Sequence, residues 1–345
     1  MIAAGAGTGD FTVPADWVRS AIQVSGAGPN LLARVLAAAG LEEADIEGED
    51  AAIGQRQEAL FFHAFAEQMG NPYFAAELGL RMPGRTSTIV SYVFHGSRSL
   101  GDAMAATARL LRLTRPGLQM DFSREGETGR WILRSIDPWV LQLAAYQEFA
   151  VSSVIADFRN ATGTALVPDA VQLPSAARGH EARLARLWGC PVDTGGERLV
   201  LTFGAAALAL PLRRHDPDLL KHLQRYGELL LRDAPEPEEG LLHRVESAVL
   251  EHLPEGGAPP VALIAEDLGL SVRTLTRRLA EEGQGYRELV EDVRRRKAQL
   301  MLSDRTLSLA EIAFLLGYSE QSSFTNAFRR WTGRAPGAYR SDLLR

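Results

Sequence analysis

The chain has 345 residues and a formal net charge of −6, and its content of 46% hydrophobic and 23% charged residues is that of an ordinary globular protein. This length suits two domains, and no apolar run approaches the roughly 18 residues that a membrane-spanning helix needs. The single cysteine, Cys190, excludes a disulfide framework and a cysteine-based zinc site, and it fits a reducing cytoplasm.

Residues 10–232 are predicted to form one mixed α+β domain, because stretches with helical spacing of apolar residues alternate with stretches rich in β-branched residues. The predicted helices cover residues 15–39, 55–69, 100–113, 138–162 and 216–232. The predicted strands cover residues 118–125, 130–136, 170–174 and 198–204. The pattern leaves the order of the strands open.

Aromatic residues of this domain have two interpretations. They could line an apolar pocket, but aromatic side chains at helical spacing usually pack in a core, which is the simpler interpretation. His63 and His95 flank them and are better read as histidines with partners in the fold than as ligand-binding groups. No ligand-binding residue can be assigned from the sequence. The aromatic residues concerned are Phe61, Phe62, Phe65, Tyr92 and Phe94.

Residues 233–240 are predicted to be a linker, because Pro235, Pro237 and the acidic residues around them cannot pack into a core. The remaining residues, 241–345, are predicted to be all helical. A helix over 241–253 opens this domain, and a longer helix over 286–304 is expected to hold its two halves at a fixed distance.

The helical domain contains the same short pattern twice, as LIAEDLGLSVRTLTRRLAEE (263–282) and EIAFLLGYSEQSSFTNAFRRW (311–331). Each copy predicts a short helix, a glycine turn and a second helix, which is the helix-turn-helix motif of DNA-binding proteins. The alanines are expected where two helices cross closely, the glycines where the backbone turns left-handed, and the serines as caps of the second helix. The paired positions are Ala265 with Ala313, Gly269 with Gly317, Ser271 with Ser319, Leu275 with Phe324, and Leu279 with Phe328.

The charge of the chain is unevenly distributed. Residues 258–345 carry 14 Lys and Arg against 11 Asp and Glu, whereas the rest of the chain carries 23 against 32. A basic unit attached to an acidic one is the asymmetry expected when only one of the two meets phosphate. The basic run at 294–297 lies on the long helix, where a solvated or salt-bridged face with Glu291 and Asp292 is the preferred interpretation.

Together these residues resemble the AraC/XylS family of bacterial transcription regulators. The resemblance to the DNA-binding domain of that family runs from about residue 240 to 342, through A-x-x-L-G-L-S-x-R-T-L-x-R-R-L and I-A-x-x-x-G-Y-S-x-Q-S-S-F-x-x-A-F-R-R-W. In the first domain, NPYFAAELGLRM (71–82), SRSLGDAM (97–104) and LWGCPV (187–192) are similar to the subgroup that has an arabinose-binding-type effector domain, as in ornithine-utilisation regulators.

The resemblance implies which side chains read DNA. Arginine can bond guanine bidentately, glutamine and asparagine suit adenine, and threonine can meet a base edge or a thymine methyl group. Members of the family commonly have arginine at the position of Asn326, so the second helix departs from the family pattern there. By position, the DNA-binding residues are Arg273, Thr276 and Arg277 in the first motif, and Gln321, Ser322, Thr325 and Asn326 in the second.

The function implied is that of a cytoplasmic, homodimeric transcription activator that binds two successive major-groove turns of double-stranded DNA and contacts RNA polymerase. A small-molecule effector in the first domain would control it. The alternative is that this domain responds to a protein partner. DNA-alkylation repair enzymes carry a similar DNA-binding unit, but their chemistry needs several activated cysteines. With one cysteine, and without HExxH, GxSxG or P-loop motifs, no catalytic residue, cofactor or metal site is expected.

Overall fold

The computed structural model describes residues 11–48, 50–82, 88–137, 139–174, 179–196, 198–234, 241–253, 257–303 and 307–343. The chain divides into two compact units, residues 10–238 and residues 239–345. Of the predicted linker, residues 235–240 lie outside the described part of the chain. The predicted fold class is confirmed, because the first unit is mixed α+β and the second is helical.

The first unit is built on a five-stranded sheet in the order β3-β4-β7-β5-β6, in which β5 and β6 run parallel and the other pairs antiparallel. A separate pair, β1 and β2, is antiparallel. All four predicted strands are present within one or two residues, and β1, β2 and β6 are additional. Their bounds are β1 (Thr12–Pro14), β2 (Ala52–Gly54), β3 (Leu118–Glu125), β4 (Thr128–Ser135), β5 (Ala170–Pro174), β6 (Val192–Gly196) and β7 (Leu199–Phe203).

Helices cover the sheet and extend beyond it. Their bounds are α1 (Asp16–Ser25), α2 (Pro29–Ala38), α3 (Glu43–Ile46), α4 (Gln55–Gln68), α5 (Phe74–Gly79), α6 (Ile89–Gly96), α7 (Leu100–Thr107), α8 (Ala144–Thr162), α9 (Glu181–Trp188), α10 (Ala205–Leu208) and α11 (Pro217–Asp233). Short 3₁₀ helices span Leu111–Leu113 and Val140–Gln142. Three predicted helices therefore end or begin elsewhere, those over 15–39, 100–113 and 138–162.

Two of these differences have a clear cause. The helix predicted over 15–39 is two helices, because Gly26 takes a left-handed backbone with φ of 68° and ends α1. The helix predicted from residue 138 begins only at Ala144, because the carboxylate of Asp137 accepts a hydrogen bond from the backbone N–H of Trp139 at 3.1 Å and holds a turn there.

Helix α8 is the centre of the first unit. Its residues Val151, Ile155 and Phe158 pack in one core with the inner face of the sheet. Helix α5 crosses α8 very closely at Gly79, where an added Cβ would lie 2.6 Å from Cβ of Ser152. Phe62 of α4 stacks on Phe149 of α8, with 3.7 Å between the two ring centroids. This central helix therefore fixes the positions of both the sheet and the helices around it.

The second unit consists of α12 (Leu241–His252), α13 (Val261–Asp267), α14 (Val272–Glu281), α15 (Tyr286–Ser303), α16 (Leu309–Leu315), α17 (Gln321–Thr332) and α18 (Pro336–Leu343). It has two cores, one formed by α12, α13, α14 and the first half of α15, the other by the second half of α15 with α16, α17 and α18. Helix α15 thus runs through both, with Leu289 buried in the first core and Leu302 in the second.

Candidate functional site

The first repeat folds as a helix-turn-helix of α13 and α14. Gly269 ends α13 with φ of 66°, and the Ser271 hydroxyl caps α14 by accepting the Thr274 backbone N–H at 3.1 Å. Leu275 and Leu279 are fully buried on the inner face of α14. The outer face of α14 is therefore held towards solvent by its own core residues.

The outer face of α14 presents all three residues assigned to the first motif. Arg273, Thr276 and Arg277 are exposed, as their spacing of three and four residues places them on one side of the helix. The guanidinium of Arg277 forms an ion pair with Glu281 one turn later. The hydroxyl of Thr276 donates to the backbone carbonyl of Val272 at 2.8 Å. Its donor is therefore engaged within the helix.

The second repeat folds as α16 and α17. A capping box of Ser308 and Glu311 begins α16, and Gly317 ends it with φ of 75°. The prediction that Ser319 caps the second helix is wrong. The N-cap of α17 is Glu320, because the one additional residue in this turn moves Ser319 a position upstream of the cap. Phe324 and Phe328 are fully buried, as are their counterparts in the first motif.

The outer face of α17 carries four polar residues and no charge among them. Gln321, Ser322 and Asn326 are exposed and Thr325 is half-buried. The Thr325 hydroxyl donates to the carbonyl of Gln321 at 2.9 Å, which repeats the arrangement of Thr276 in the first motif. The Ser322 hydroxyl donates to the carboxylate of Glu320 at 3.0 Å. The structure thus brings each predicted set onto one exposed helix face.

The two motifs are joined by contacts at Gly317. Its carbonyl accepts the backbone N–H of Gly257 at 2.7 Å, and a Cβ added at Gly317 would lie 2.6 Å from the carbonyl oxygen of Gly257 and 2.7 Å from that of Leu253. Arg294 of α15 is buried beside it, with its guanidinium 4.6 Å from the ring centroid of Tyr318. These contacts and the continuous α15 fix the second motif against the first.

Within the described residues, the basic run on α15 is engaged in contacts inside the protein. Arg295 and Arg296 form ion pairs with Asp292, and Arg296 also pairs with the buried Glu246 of α12. Burial lowers the pKa of Lys297. Glu291 pairs instead with Arg330 of α17, with 3.1 Å between the charged atoms. The salt-bridged interpretation accounts for these side chains, while the burial of Arg294 was not anticipated.

The first unit contains a cavity of about 180 Å³. Its walls come from β3 and β4, from α6 and α8, and from the loop that carries Arg115. Most of the lining is apolar, and the polar groups include Ser91 of α6 and both Ser153 and Asp157 of α8. The apolar lining includes Trp17, Met82, Val90, Phe94, Leu111, Leu118, Met120, Trp131, Leu133, Val154 and Phe158.

Asp157 and His95 form a polar pair beside this cavity. Oδ1 of Asp157 lies 3.0 Å from Nε2 of His95, which joins α8 to α6. Burial raises the pKa of the Asp157 carboxyl above its ordinary value, and the hydrogen bond to His95 opposes that rise. The side chain nevertheless keeps 27% of its surface accessible. Asp157 is thus a partly accessible carboxylate in the lining of the cavity.

Arg115 lies in the same wall but is fully engaged. Its guanidinium donates to the buried carboxylate of Glu58 at 2.6 Å and 2.8 Å and to Asp16 at 3.1 Å. It also stacks on Trp17, with 3.5 Å from Cζ to the ring centroid. The hydroxyl of Tyr146 donates to the same Glu58 carboxylate at 3.1 Å. Arg115 therefore neutralises protein carboxylates, and it does not present a free positive charge to the cavity.

Of the aromatic residues singled out in the sequence, only Phe94 lines the cavity. Phe61, Phe62 and Phe65 are fully buried core residues, as the simpler interpretation predicts. Tyr92 is neither a core residue nor part of the cavity lining, and it is 41% exposed. The cavity was therefore not found from the aromatic pattern. The available signal was Asp157, a carboxylate in the otherwise largely apolar stretch FAVSSVIADF of α8.

Both units match families of known proteins. The family model described as the arabinose-binding domain of AraC transcription regulators, N-terminal, matches residues 32–212, which is more than half of the chain, and a helix-turn-helix domain model matches residues 264–342. The chain belongs to the AraC family of transcription regulators. The resemblance drawn from the sequence motifs is thereby confirmed.

Several characterised members of the AraC family are similar to this chain. The ornithine utilization regulator of Pseudomonas aeruginosa is 29% identical over 275 residues, which is 79% of each chain. The regulator VirS of Mycobacterium tuberculosis is 34% identical over 165 residues, or 47% of each chain. The crystal structure of CdpR from Pseudomonas aeruginosa covers 90% of this chain and 97% of its own, at 23% identity and a TM-score of 0.44.

The two curated relatives are named as regulators, and this AraC-family chain is a DNA-binding regulator and not an enzyme. Cys190 is buried, and burial raises the pKa of its thiol to about 11, so that it stays protonated at neutral pH. No helix within the described ranges is long and apolar enough to cross a membrane.

Proposed function

We propose that the chain is a homodimeric, small-molecule-controlled activator that reads DNA with the outer faces of α14 and α17. The observation that carries this proposal is the presence, in one chain, of two exposed recognition faces in one unit and a mostly apolar cavity with converging polar groups in the other. Such a cavity is the usual form of a small-molecule site. Residues 10–232 would bind effector, 233–240 would link, and 241–345 would bind DNA.

On DNA, α14 would supply most of the specific affinity. Arg273 and Arg277 can each bond O6 and N7 of guanine, and the methyl group of Thr276 can contact thymine while its hydroxyl stays bonded to the helix. In α17, Gln321 and Asn326 suit adenine, and Ser322 and Thr325 would make shorter-range contacts. The two helices would enter successive major grooves, about 34 Å apart.

Helix α11 supports dimer formation. Leu219, Tyr226 and Leu229 lie on one face of this helix and are 48%, 55% and 50% exposed. A second copy could bury this stripe against its own by twofold symmetry. Leu229→Asp should therefore shift the sedimentation coefficient from dimer to monomer, whereas Lys221→Asp, at an exposed position outside this stripe, should leave it unchanged. A Leu229→Asp variant that sediments with the wild type would remove α11 from the interface.

Control by a metabolite would act by a population shift, in which the effector binds one arrangement of the chain better than another. Activation through contact with RNA polymerase, and a cytoplasmic location beside the DNA, follow from the family resemblance. The competing proposal is that the first unit responds to a protein partner. The cavity, with Ser91, Ser153 and Asp157 lining it, favours a small molecule, because a unit that only docks a protein needs no such interior space.

A thermal-shift screen of the full-length protein tests effector control. The panel comprises amines, amino acids, fatty acids, aromatic acids and alcohols, and binding to the folded state raises the melting temperature by mass action. We expect a dose-dependent rise with one chemical class and a change in DNA affinity with the same compound. A protein that binds DNA but responds to no class would favour the protein-partner alternative.

A further inference from the structure

We propose that the cavity of the first unit selects a small apolar molecule with one protonated amino group, which Asp157 holds. This inference rests on the proposed effector control and names the chemical class of the effector. It is carried by the size of the cavity, by its apolar and aromatic walls, and by the charged side chains that line it.

The size and the walls define the body of the molecule. A cavity of about 150 Å³ lined by apolar side chains admits benzene, and the cavity here has about 180 Å³. It therefore suits a single ring or a short alkyl chain with a small head group. Trp131 of β4 lies in one wall, and Phe94 and Phe158 stack with ring centroids 5.2 Å apart in the wall between α6 and α8. These surfaces can enclose an apolar body.

Three polar residues of the lining, Ser91, Ser153 and Asp157, lie on α6 and α8. Ser91 lies one turn before His95 on α6, and Ser153 lies one turn before Asp157 on α8, so each serine shares a helix face with one member of the pair. The Ser153 hydroxyl donates to the carbonyl of Ala150 at 3.0 Å and keeps its oxygen as an acceptor. Oδ1 of Asp157 is bonded to His95, while Oδ2 has no hydrogen-bond partner in the part of the chain that the structure describes. An ammonium group carries three donors and can satisfy this oxygen and the hydroxyls together.

The charge balance of the lining favours a cation. Asp16, Arg115 and Asp157 are its charged residues, and the guanidinium of Arg115 is bonded to both Asp16 and the buried Glu58. Among the lining residues the formal charge is therefore negative, and His95 behind Asp157 is its hydrogen-bond partner. Burial also raises the pKa of Asp157, and the hydrogen bond to His95 offsets only part of that rise. A bound ammonium would offset more of it, and the aromatic walls favour a cation as well.

The same arrangement disfavours anions. A fatty acid, an aromatic acid or the carboxylate of an amino acid would need a cationic donor in the cavity. Arg115 can provide one only by giving up Glu58, which would leave a buried carboxylate without its partner. Neutral alcohols would fill the apolar space but would form a weaker hydrogen bond with Asp157 than an ammonium group does.

Three probes with one ring and different heads test the proposal, namely 2-phenylethylamine, 2-phenylethanol and 3-phenylpropanoate. Their affinities for the full-length protein are measured by isothermal titration calorimetry at neutral pH. We expect the amine to bind about tenfold or more tighter than the alcohol, since a charge-assisted hydrogen bond replaces a neutral one. The carboxylate should bind most weakly.

Asp157→Asn should remove the preference for the amine while leaving the affinity for the alcohol nearly unchanged. Asp193→Asn, at an exposed aspartate on β6 outside the cavity lining, is the matched control and should bind all three probes as the wild type does. Melting temperature and DNA affinity, measured for every variant without probe, show whether each one is folded. Equal affinities for amine and alcohol, retention of the preference in Asp157→Asn, or no binding of any probe would overturn the proposal.

Effector control and amine selectivity can fail separately. If 3-phenylpropanoate binds tightest and changes DNA affinity, the amine proposal is overturned while small-molecule control stands. If the amine binds as expected but no bound probe alters DNA affinity, the cavity selects amines and the control of DNA binding must lie elsewhere.

Discussion

The two helix-turn-helix motifs share one backbone plan but differ in the positions of their arginines and in their surroundings. On the outer face, Arg277 of the first motif is replaced by Asn326 of the second, at an offset of 49 residues. In the turn, Gly269 has open space around the position of a Cβ, whereas Gly317 is closed in by two backbone carbonyls and by Arg294. The first motif thus has arginines at its predicted reading positions, whereas the arginines of α17, Arg329 and Arg330, lie in its last turn. The second motif is the more tightly built into the fold.

Under the proposed function, this difference gives α14 and α17 different roles in binding DNA. The arginines at the predicted reading positions of α14 can bond guanine and attract phosphate, whereas the predicted reading positions of α17 are neutral and can offer only hydrogen bonds. The positive charge of α17 comes from Arg329 and Arg330 in its last turn. The contacts between Gly317 and Gly257 and the continuous α15 fix where that weaker face lies. A helix that contributes little binding free energy can still add specificity when its position is already fixed, because little conformational entropy is then lost on binding DNA.

Substitution of the two turn glycines should give the largest difference in stability between the motifs. Gly269→Ala places a side chain in left-handed backbone with space around it, which costs about 1–2 kcal/mol of folding stability. Gly317→Ala adds steric overlap with the carbonyls of Gly257 and Leu253, for a total of roughly 2–5 kcal/mol. Urea unfolding, with hydrogen exchange of the amides in α13 to α17, measures both. Equal losses would show that the close packing at Gly317 relaxes without cost.

The arginine and asparagine at equivalent positions should differ in their contribution to binding. Arg277→Ala should lose about 1–3 kcal/mol of specific affinity and relax the preference at one base pair, while Asn326→Ala should lose less. Fluorescence anisotropy with selected and random DNA separates the outcomes. An equal loss of Arg277→Ala on both DNAs would identify a phosphate contact instead of a base contact.

Adding the missing charge should make the second motif more like the first. Asn326→Arg places a guanidinium on the exposed face of α17, so affinity should rise on all DNA sequences and the salt dependence should steepen by about one counterion. The slope of log affinity against log salt measures this change. An unaltered slope would mean that α17 lies away from the DNA backbone and bases.

The paired threonines should show the smallest effect. Since the hydroxyls of Thr276 and Thr325 donate to the helix backbone, Thr276→Val and Thr325→Val keep the outward methyl and should each change DNA affinity by less than about 0.5 kcal/mol. The same anisotropy titration applies. A loss above about 1 kcal/mol at either site would show that its hydroxyl turns outward and bonds a base.

The sequence predicted what local patterns encode. The alternation of LQMDFSRE gave β3 with its observed bounds, and the repeated glycines gave both turns with left-handed backbone. It did not give the start of α8 at Ala144, which a hydrogen bond of Asp137 decides, nor the cap of α17, which a single extra turn residue displaces. Each of these depends on one side chain or one residue of register.

The cavity could not be predicted, because its lining comes from segments far apart in the chain. Trp17, Phe94, Trp131 and Asp157 share no motif and meet only when α1, α6, β4 and α8 are packed together. The close approach of Gly257 to Gly317 is likewise a contact between two turns that a helical pattern cannot reveal. The residues predicted to bind DNA were easier to group, since each set lies on a single helix.

The most direct test of the account is hydroxyl-radical footprinting of the full-length protein on DNA selected from a random library. The account predicts, for each protomer, two protected segments on one face of the duplex, separated by one helical turn of about 10 base pairs. Arg277→Ala should weaken one of them and Asn326→Ala the other. A single protected segment per protomer, weakened only by Arg277→Ala, would show that α17 does not read DNA.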